Sequence, residues 1–470
     1  MSKSILDDFR FFDPEQSVRN VAYELYSGVK GLPLISPHGH VEPRVLAENQ
    51  PFPDPTELLI IPDHYVYRML YSQGISLESL GIPAGDGTPV EKDHRKIWQV
   101  FADHFYLFAG TPTGVWMAQE FAEVFDIGEK LNSSNAMRIY DEMSAKLKTK
   151  EFLPRTLFEK FNIEVLTTTD SPSDTLDFHR KIRESGWKGR VIPCFRPDAV
   201  VNILGKKWKD EVDAMGRVSG IDVHDYHSYI NALEKRRQYF RINGAVSTDQ
   251  GVETPYARRL SELEADAIFQ RALKGQANEK DAAAFTANML MEMARMSTED
   301  GLVMQIHAGA FRNHNISIFN RFGADKGGDI PVQTEFTRNM HEFLNTYCNN
   351  PKFTVVLFTL DEAPYTRELA PIAGHYPSVR LGASWWFHDS IQGMTRYRQQ
   401  ITETAGIHNT VGFTDDTRAF LSIPARHDLA RRMDANFLAG QVARKVIDID
   451  EAKVLVKALA YDLAKKTYRL

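Results

Sequence analysis

The chain has 470 residues, 43% hydrophobic and 25% charged, with a net charge of −6 and both signs scattered along it. No basic stripe marks a nucleic-acid footprint, and no apolar run approaches the roughly 18 residues that a membrane span needs. Acidic residues occupy the opening stretch where a secretory signal would be apolar, and two distant cysteines, Cys194 and Cys348, form no CxxC pattern, so a reduced cytoplasmic enzyme is expected.

Eight short apolar, β-branched runs recur along the chain. They are LPLIS near 32, IEVLTTT near 163, RVIPCF near 190, GAVST near 244, LVMQI near 302, FTVVLF near 353, VRLGAS near 379 and TVGFT near 410. Continuous apolar runs suit buried parallel strands. Between the first and second runs, IWQVFADHFYLFAG sets Trp98, Phe101, Phe105 and Phe108 on one helical face, and AMRIYDEMSAKLK follows. After the second run, Leu176 and Ile182 sit among charges before a stopping glycine. After the fifth, Phe336, Met340 and Phe343 have helical spacing. In the tail, Asp450 is the expected N-cap of a helix with Leu455, Leu459 and Leu463 four apart. This order predicts an α/β fold, a distorted (β/α)8 TIM barrel spanning 1–470 as one domain, with a mostly helical insertion over 41–155 after the first strand. A doubly wound sheet is the structural alternative that periodicity leaves open.

Barrel active sites lie at the C-terminal strand ends. The first run leads into SPHGH, where His38 and His40 stand at i and i+2 and project to one side if strand geometry persists. An HxH is as often a turn with solvated histidines as a pair of metal ligands, and the buried strand before this one favours the metal. Other strand ends carry Asp170, Arg196, Asp249, His307, Trp385, Trp386, Asp416 and Arg418. Each has a plainer reading. Asp170 is expected to cap the following helix, Asp249 to begin a turn, His307 to be a satisfied core histidine, and the tryptophans to pack. The convergence of so many polar groups on one mouth argues for a site.

The stretches SPHGH, DHYVYR, LTTTDSP, FRPD, STDQG, MQIHAGAFRNHN, GASWWFHD and TDDTRAFLS together resemble the uronate (glucuronate) isomerase family of the amidohydrolase superfamily, from about residue 8 to the C-terminus. The resemblance implies aldose–ketose interconversion of uronates, D-glucuronate with D-fructuronate and D-galacturonate with D-tagaturonate. Two positions depart from the family's pattern. Ser36 replaces an acidic or other polar residue, and Gln250 replaces a histidine that could titrate.

Such an isomerisation needs a base for the C2 proton and donors or an electrophile for the developing oxyanion. The resemblance implies His38, His40 and Asp416 as ligands of one divalent cation, expected to be Zn²⁺, with Asp416 also shuttling hydroxyl protons. Arg196 is expected to grip the sugar carboxylate, because a guanidinium matches a carboxylate bidentately. Tyr65 is expected to take the C2 proton, with His64 and Arg418 beside it. From the residues alone, DHYVYR reads as a helix with Tyr65 and Tyr67 packing. His307 and Asp249 are expected on substrate hydroxyls and Trp385 against the sugar face. The partner is a small uronate, with no nucleic acid or membrane, in a homo-oligomer. The alternatives are a metal-dependent hydrolase of a sugar-acid lactone or amide on the same barrel, and a sugar-acid-binding barrel that has lost catalysis.

Overall fold

In the computed structural model, which describes residues 6–470, seven of the eight apolar runs form strands. β1 (Leu34–Ser36), β2 (Ile163–Thr167) and β3 (Arg190–Ile192) pair in parallel in that order. β4 (Ser247–Val252), β5 (Val303–Ala308), β6 (Val355–Thr359) and β7 (Val379–Leu381) form a second parallel run. The two runs are stitched at Phe195, whose amide donates to the Ser247 carbonyl (3.2 Å) and whose carbonyl accepts from the Asp249 amide (3.0 Å). On the other side the Val411 amide donates to the Leu381 carbonyl (3.0 Å) and the His40 amide to the Thr417 carbonyl (2.9 Å). The ring is a distorted (β/α)8 barrel. Its eighth position pairs only at Thr410. Gly412 explains this: it has φ +78°, and the Leu459 carbonyl oxygen lies 2.4 Å from where its Cβ would be, so the C-terminal helix crosses where a longer strand would run.

No strand interrupts the chain between β1 and β2, where helices follow one another. Trp98, Phe101, Phe108 and Phe121 form their core, which continues into Leu34, Leu166 and Phe420 of the barrel. The predicted aromatic face breaks after Asp103 and resumes as a short 3₁₀ turn, Phe105–Phe108, leaving Phe105 only half-buried. In this segment Asp63 caps the helix His64–Tyr71, accepting a hydrogen bond from the Tyr65 amide (2.8 Å). The cap fixes where Tyr65 leaves the helix. Phe336, Met340 and Phe343 are buried as their spacing predicts, but the helix there is only His341–Tyr347. Glu368 accepts from the Phe336 amide (2.6 Å) upstream of it.

Two capping expectations are corrected. Asp448, not Asp450, caps Ile449–Lys457, because Asp448 forms the reciprocal box with Glu451. Asp170 caps no helix. It accepts a hydrogen bond from the Thr168 hydroxyl (2.7 Å), and burial pushes its carboxyl up to about 7. The chain end stoppers the barrel floor, with the buried Tyr468 hydroxyl donating to Gln305 (2.7 Å).

His179, on the helix Asp177–Glu184, stands 2.8 Å from the Thr168 hydroxyl, and burial with nearby Arg183 holds it down at about 4. The folded chain therefore refuses a proton that the unfolded chain takes below pH ~6.5. Stability from this group is complete above that pH and falls by on the order of 3 kcal/mol as pH drops towards 4. Thermal melts at pH 7 and 4.5 should show His179→Gln losing less stability on acidification than the parent. Equal losses would show that His179 is not the group responsible.

Candidate active site

The C-terminal strand ends open into a cavity of about 380 Å³. His38, His40, His64, Tyr65, Arg196, His307, Trp385, Asp416 and Arg418 all line it. These residues, each expected at the site from sequence, come from five barrel positions and one inserted helix. Asp249 is the exception. It lies fully buried behind the wall.

His38 and His40 leave the end of β1, and Asp416 follows the eighth barrel position. The Nε2 atoms of both histidines converge on one oxygen, Asp416 Oδ1, at 3.4 Å from His38 and 3.0 Å from His40. Burial disfavours a charged His38, yet the Asp249 and Asp416 carboxylates raise it well above its ordinary value. Burial likewise opposes the Asp416 charge, and His38 and His40 overcome it to hold the carboxyl well below the carboxylate range. Asp416 also takes φ +38°, a conformation that costs a non-glycine residue about 1–3 kcal/mol. Strain here is what a backbone bent to aim a carboxylate would show.

The donor set fits a divalent cation. Neither ring nitrogen of fully buried His38, nor Nε2 of His307, has a hydrogen-bond partner among the described residues. Buried polar atoms are rarely left so. Tetrahedral ligands at about 2.0–2.1 Å from a metal lie roughly 3.3 Å apart, close to the His38–Asp416 and His40–Asp416 separations. The group whose donor atoms all lie within 4.8 Å of one another is His38, His307 and Asp416, and His40 meets it at Asp416 Oδ1.

Asp249 organises the row behind. Its Oδ1 accepts from His307 Nδ1 (2.6 Å) and its Oδ2 pairs with Arg196 Nη1 (3.0 Å). Burial opposes that charge, but Arg196, His307 and His38 hold the Asp249 carboxyl far below its usual range. A proton on Nδ1 leaves His307 Nε2 as a lone-pair acceptor facing the cavity. The His307 ring stacks on Phe358 (4.2 Å) and meets Trp385 edge-on (4.8 Å). Arg196 is less free than its strand-end position implied. Its Nε donates to Asp198 (2.8 Å) while Nη1 serves Asp249. Arg418 is the freer guanidinium, with its nearest carboxylate, Asp325, at 3.7 Å.

Tyr65 stacks on His64 (4.8 Å) and stands edge-on to Trp116 (5.9 Å). His64 carries no charge here, since burial and Arg418 hold it down at about 3. Burial pushes the Tyr65 phenol up, and Arg426 opposes that push. Tyr67, three positions from His64, is a packing residue whose hydroxyl donates to the Asp325 carbonyl (2.8 Å).

A family model described as glucuronate isomerase matches residues 11–468. The chain belongs to the glucuronate isomerase family. A uronate isomerase of Nostoc punctiforme is 53% identical over 469 residues, covering 100% of this chain and 99% of the relative. The crystal structure of glucuronate isomerase from Caulobacter crescentus superposes with a TM-score of 0.97 at 50% identity, covering 99% of this chain and 98% of that one. That of uronate isomerase from Thermotoga maritima gives 0.92 at 30%, covering 98% and 99%.

In this glucuronate isomerase family member the cavity wall also includes Arg312, Asn313 and Asp325, none of which was assigned a role from sequence, and Trp386, which was named at its strand end and expected to pack. Arg312 donates to Asp329 (2.8 Å) and lies over the Trp386 ring (5.6 Å). Asn313, Asp325 and Trp386 share positive φ with Asp416. Arg312 and Asn313 sit in the stretch that carried the family resemblance, so its polar run was a usable signal. Asp325 lies far from any strand end, and nothing in its local sequence marks it.

Proposed function

We propose that the chain interconverts aldose and ketose uronates, D-glucuronate with D-fructuronate and D-galacturonate with D-tagaturonate, through a cis-enediol. The observation that carries this reading is a single cavity that joins a His–His–Asp cluster, a buried tyrosine and three arginines, in a chain whose relatives are named uronate isomerase. A hydrolase of the same barrel type has no use for Tyr65 or for a carboxylate grip. The protein is an isomerase that acts on a small molecule, and no described helix is long and apolar enough to cross a membrane.

Isomerisation moves one proton from C2 to C1 and another from O2 to O1. A divalent cation held by His38, His40 and Asp416, Zn²⁺ by its nitrogen and oxygen donors, would supply a Lewis acid for the sugar oxygens. Tyr65 takes the C2 proton and returns it at C1. Asp416, kept ionised, passes the hydroxyl proton between the oxygens. His307 Nε2, fixed by Asp249, accepts from a sugar hydroxyl, and Trp385 covers the sugar face. Asp249 thus acts through His307 rather than on substrate. Arg418 receives the sugar carboxylate, with Arg196 as a second cation on the wall.

Arg418→Met should raise KM for D-glucuronate by about 10- to 100-fold, as expected for losing a charge-assisted hydrogen bond, and change kcat less. An unchanged KM would move the grip to Arg196. Arg196→Met is the poorer probe, because it also strips Asp249 of its cation. The activity itself is tested by incubating the protein with D-glucuronate and following ketose formation with a ketose-uronate reductase. Reductant consumption is expected, and none with either uronate would overturn the reading.

A further inference from the structure

A second cavity, of about 210 Å³, shares no lining residue with the candidate active site. The helical segment between β1 and β2 forms one side of it, with Glu120, Val124 and Phe161. Leu421 and Pro424, around the start of the helix Ile423–Ala443, form the other. Glu120 opens a wide turn, Glu120–Val124, in which the Phe125 amide donates to the carbonyl five residues back (3.1 Å). Such π-turns are frequent at functional sites.

Glu120 is only 4% exposed and lines the cavity, yet its side chain makes no hydrogen bond or ion pair with any described residue. Neither of its carboxylate oxygens is sealed in the interior, and the open space beside them is the cavity. Burial and Asp63 push this carboxyl up to about 8, and Arg426 opposes them. It is an acid without a cation of its own, and a buried charge without a partner is costly. The cavity's other polar groups do not supply the partner. Glu123 accepts from Gln119 Nε2 (2.8 Å) and from Arg10 (3.3 Å). Lys160, the cation on the wall, is exposed and holds its ammonium over the Phe152 ring (5.6 Å).

These walls select an occupant by its chemistry. A compact cation with N–H donors satisfies the carboxylate, and a short aliphatic chain displaces water along the apolar wall. An anion would meet the carboxylates of Glu120 and Glu123, and a neutral alcohol would leave the Glu120 charge uncompensated. The volume falls below the roughly 300–1,000 Å³ usual for drug-sized ligands, which limits the chain to a few carbons.

We propose that this cavity binds a small primary ammonium ion, with the cation on Glu120 and the alkyl chain between Val124, Phe161, Leu421 and Pro424. Bound there, the ion ties the helical segment to the barrel. The proposal does not depend on the roles given to Tyr65 or to the metal ligands.

The probe is n-butylammonium chloride, titrated calorimetrically into the whole protein at pH 8 with sodium chloride of equal ionic strength as the blank. The parent should bind it about tenfold or more tightly than Glu120→Gln does, since that variant keeps the shape of the side chain and loses its charge. The parent should prefer it to 1-butanol by a similar factor. Saturating D-glucuronate should leave the affinity unchanged. The probe should raise the melting temperature of the parent and not that of Glu120→Gln. No heat above the blank would overturn the proposal, as would equal affinity in parent and Glu120→Gln. Displacement by D-glucuronate would put the amine among the carboxylates of the active site and overturn it too. If Glu120→Gln does not fold, Lys160→Met decides from an exposed position. Removing that like charge should tighten binding severalfold, and unchanged or weaker binding counts against the site.

Discussion

Tyr65→Phe should lower kcat for D-glucuronate by about 10²–10⁴-fold, the usual contribution of a positioned acid–base group, with little change in KM. The substitution keeps the ring, and the ring makes the contacts: it stacks on His64 and meets Trp116 and Trp386. The Asp63 cap bonds the residue's backbone amide, so the helix start survives. Only the hydroxyl is lost. Substrate deuterated at C2 gives a second reading. The slow variant should show a larger isotope effect than the parent if proton abstraction has become limiting. Parent-like turnover by Tyr65→Phe would pass the role to Asp416.

Asp416→Asn should cost as much, for two reasons. The amide can no longer pass the hydroxyl proton, worth about 10²–10⁴-fold by itself. It also removes the anion on which His38 and His40 converge at 3.4 and 3.0 Å. Elemental analysis of the parent should find about one transition metal per chain, and the variant should hold much less. His40→Asn should lose metal as well. His307→Asn should retain it under the proposed roles, in which His307, tied to Asp249, meets the substrate and not the metal. Should His307→Asn lose the metal while His40→Asn keeps it, the ligand set is His38, His307 and Asp416.

The barrel was legible because its strands are buried on both faces and read as continuous apolar runs. The eighth run misled in one respect. TVGFT looks like a strand, yet Gly412 and the crossing helix leave only Thr410 paired. The convergence of His38 and His40 on Asp416 was legible for a local reason, since i and i+2 histidines after a strand share a side, whereas His307, which joins His38 and Asp416 in the group of donor atoms within 4.8 Å, was expected on the substrate. The place of Tyr65 in the cavity wall was not legible, because a tyrosine at a helix start looks the same whether it meets a cavity or a core, and the family resemblance alone singled it out from Tyr67. Asp249 was seen but misplaced. Strand-end position says that a side chain is near the mouth, while its depth depends on neighbours such as Arg196 and His307 that come from other strands.

Whether this cavity isomerises a uronate or hydrolyses a sugar acid is decided by following the carbons themselves, with ¹³C NMR of D-glucuronate labelled at C1 and C2 and incubated with the purified protein. Under isomerisation the aldehyde-derived C1 signal gives way to a hydroxymethyl carbon while C2 becomes a ketose carbon, at constant mass and approaching a fixed ratio from either sugar. An unchanged spectrum with D-glucuronate and with D-galacturonate, from protein that opens a sugar-acid lactone equally well with Tyr65 or Phe at that position, would contradict it.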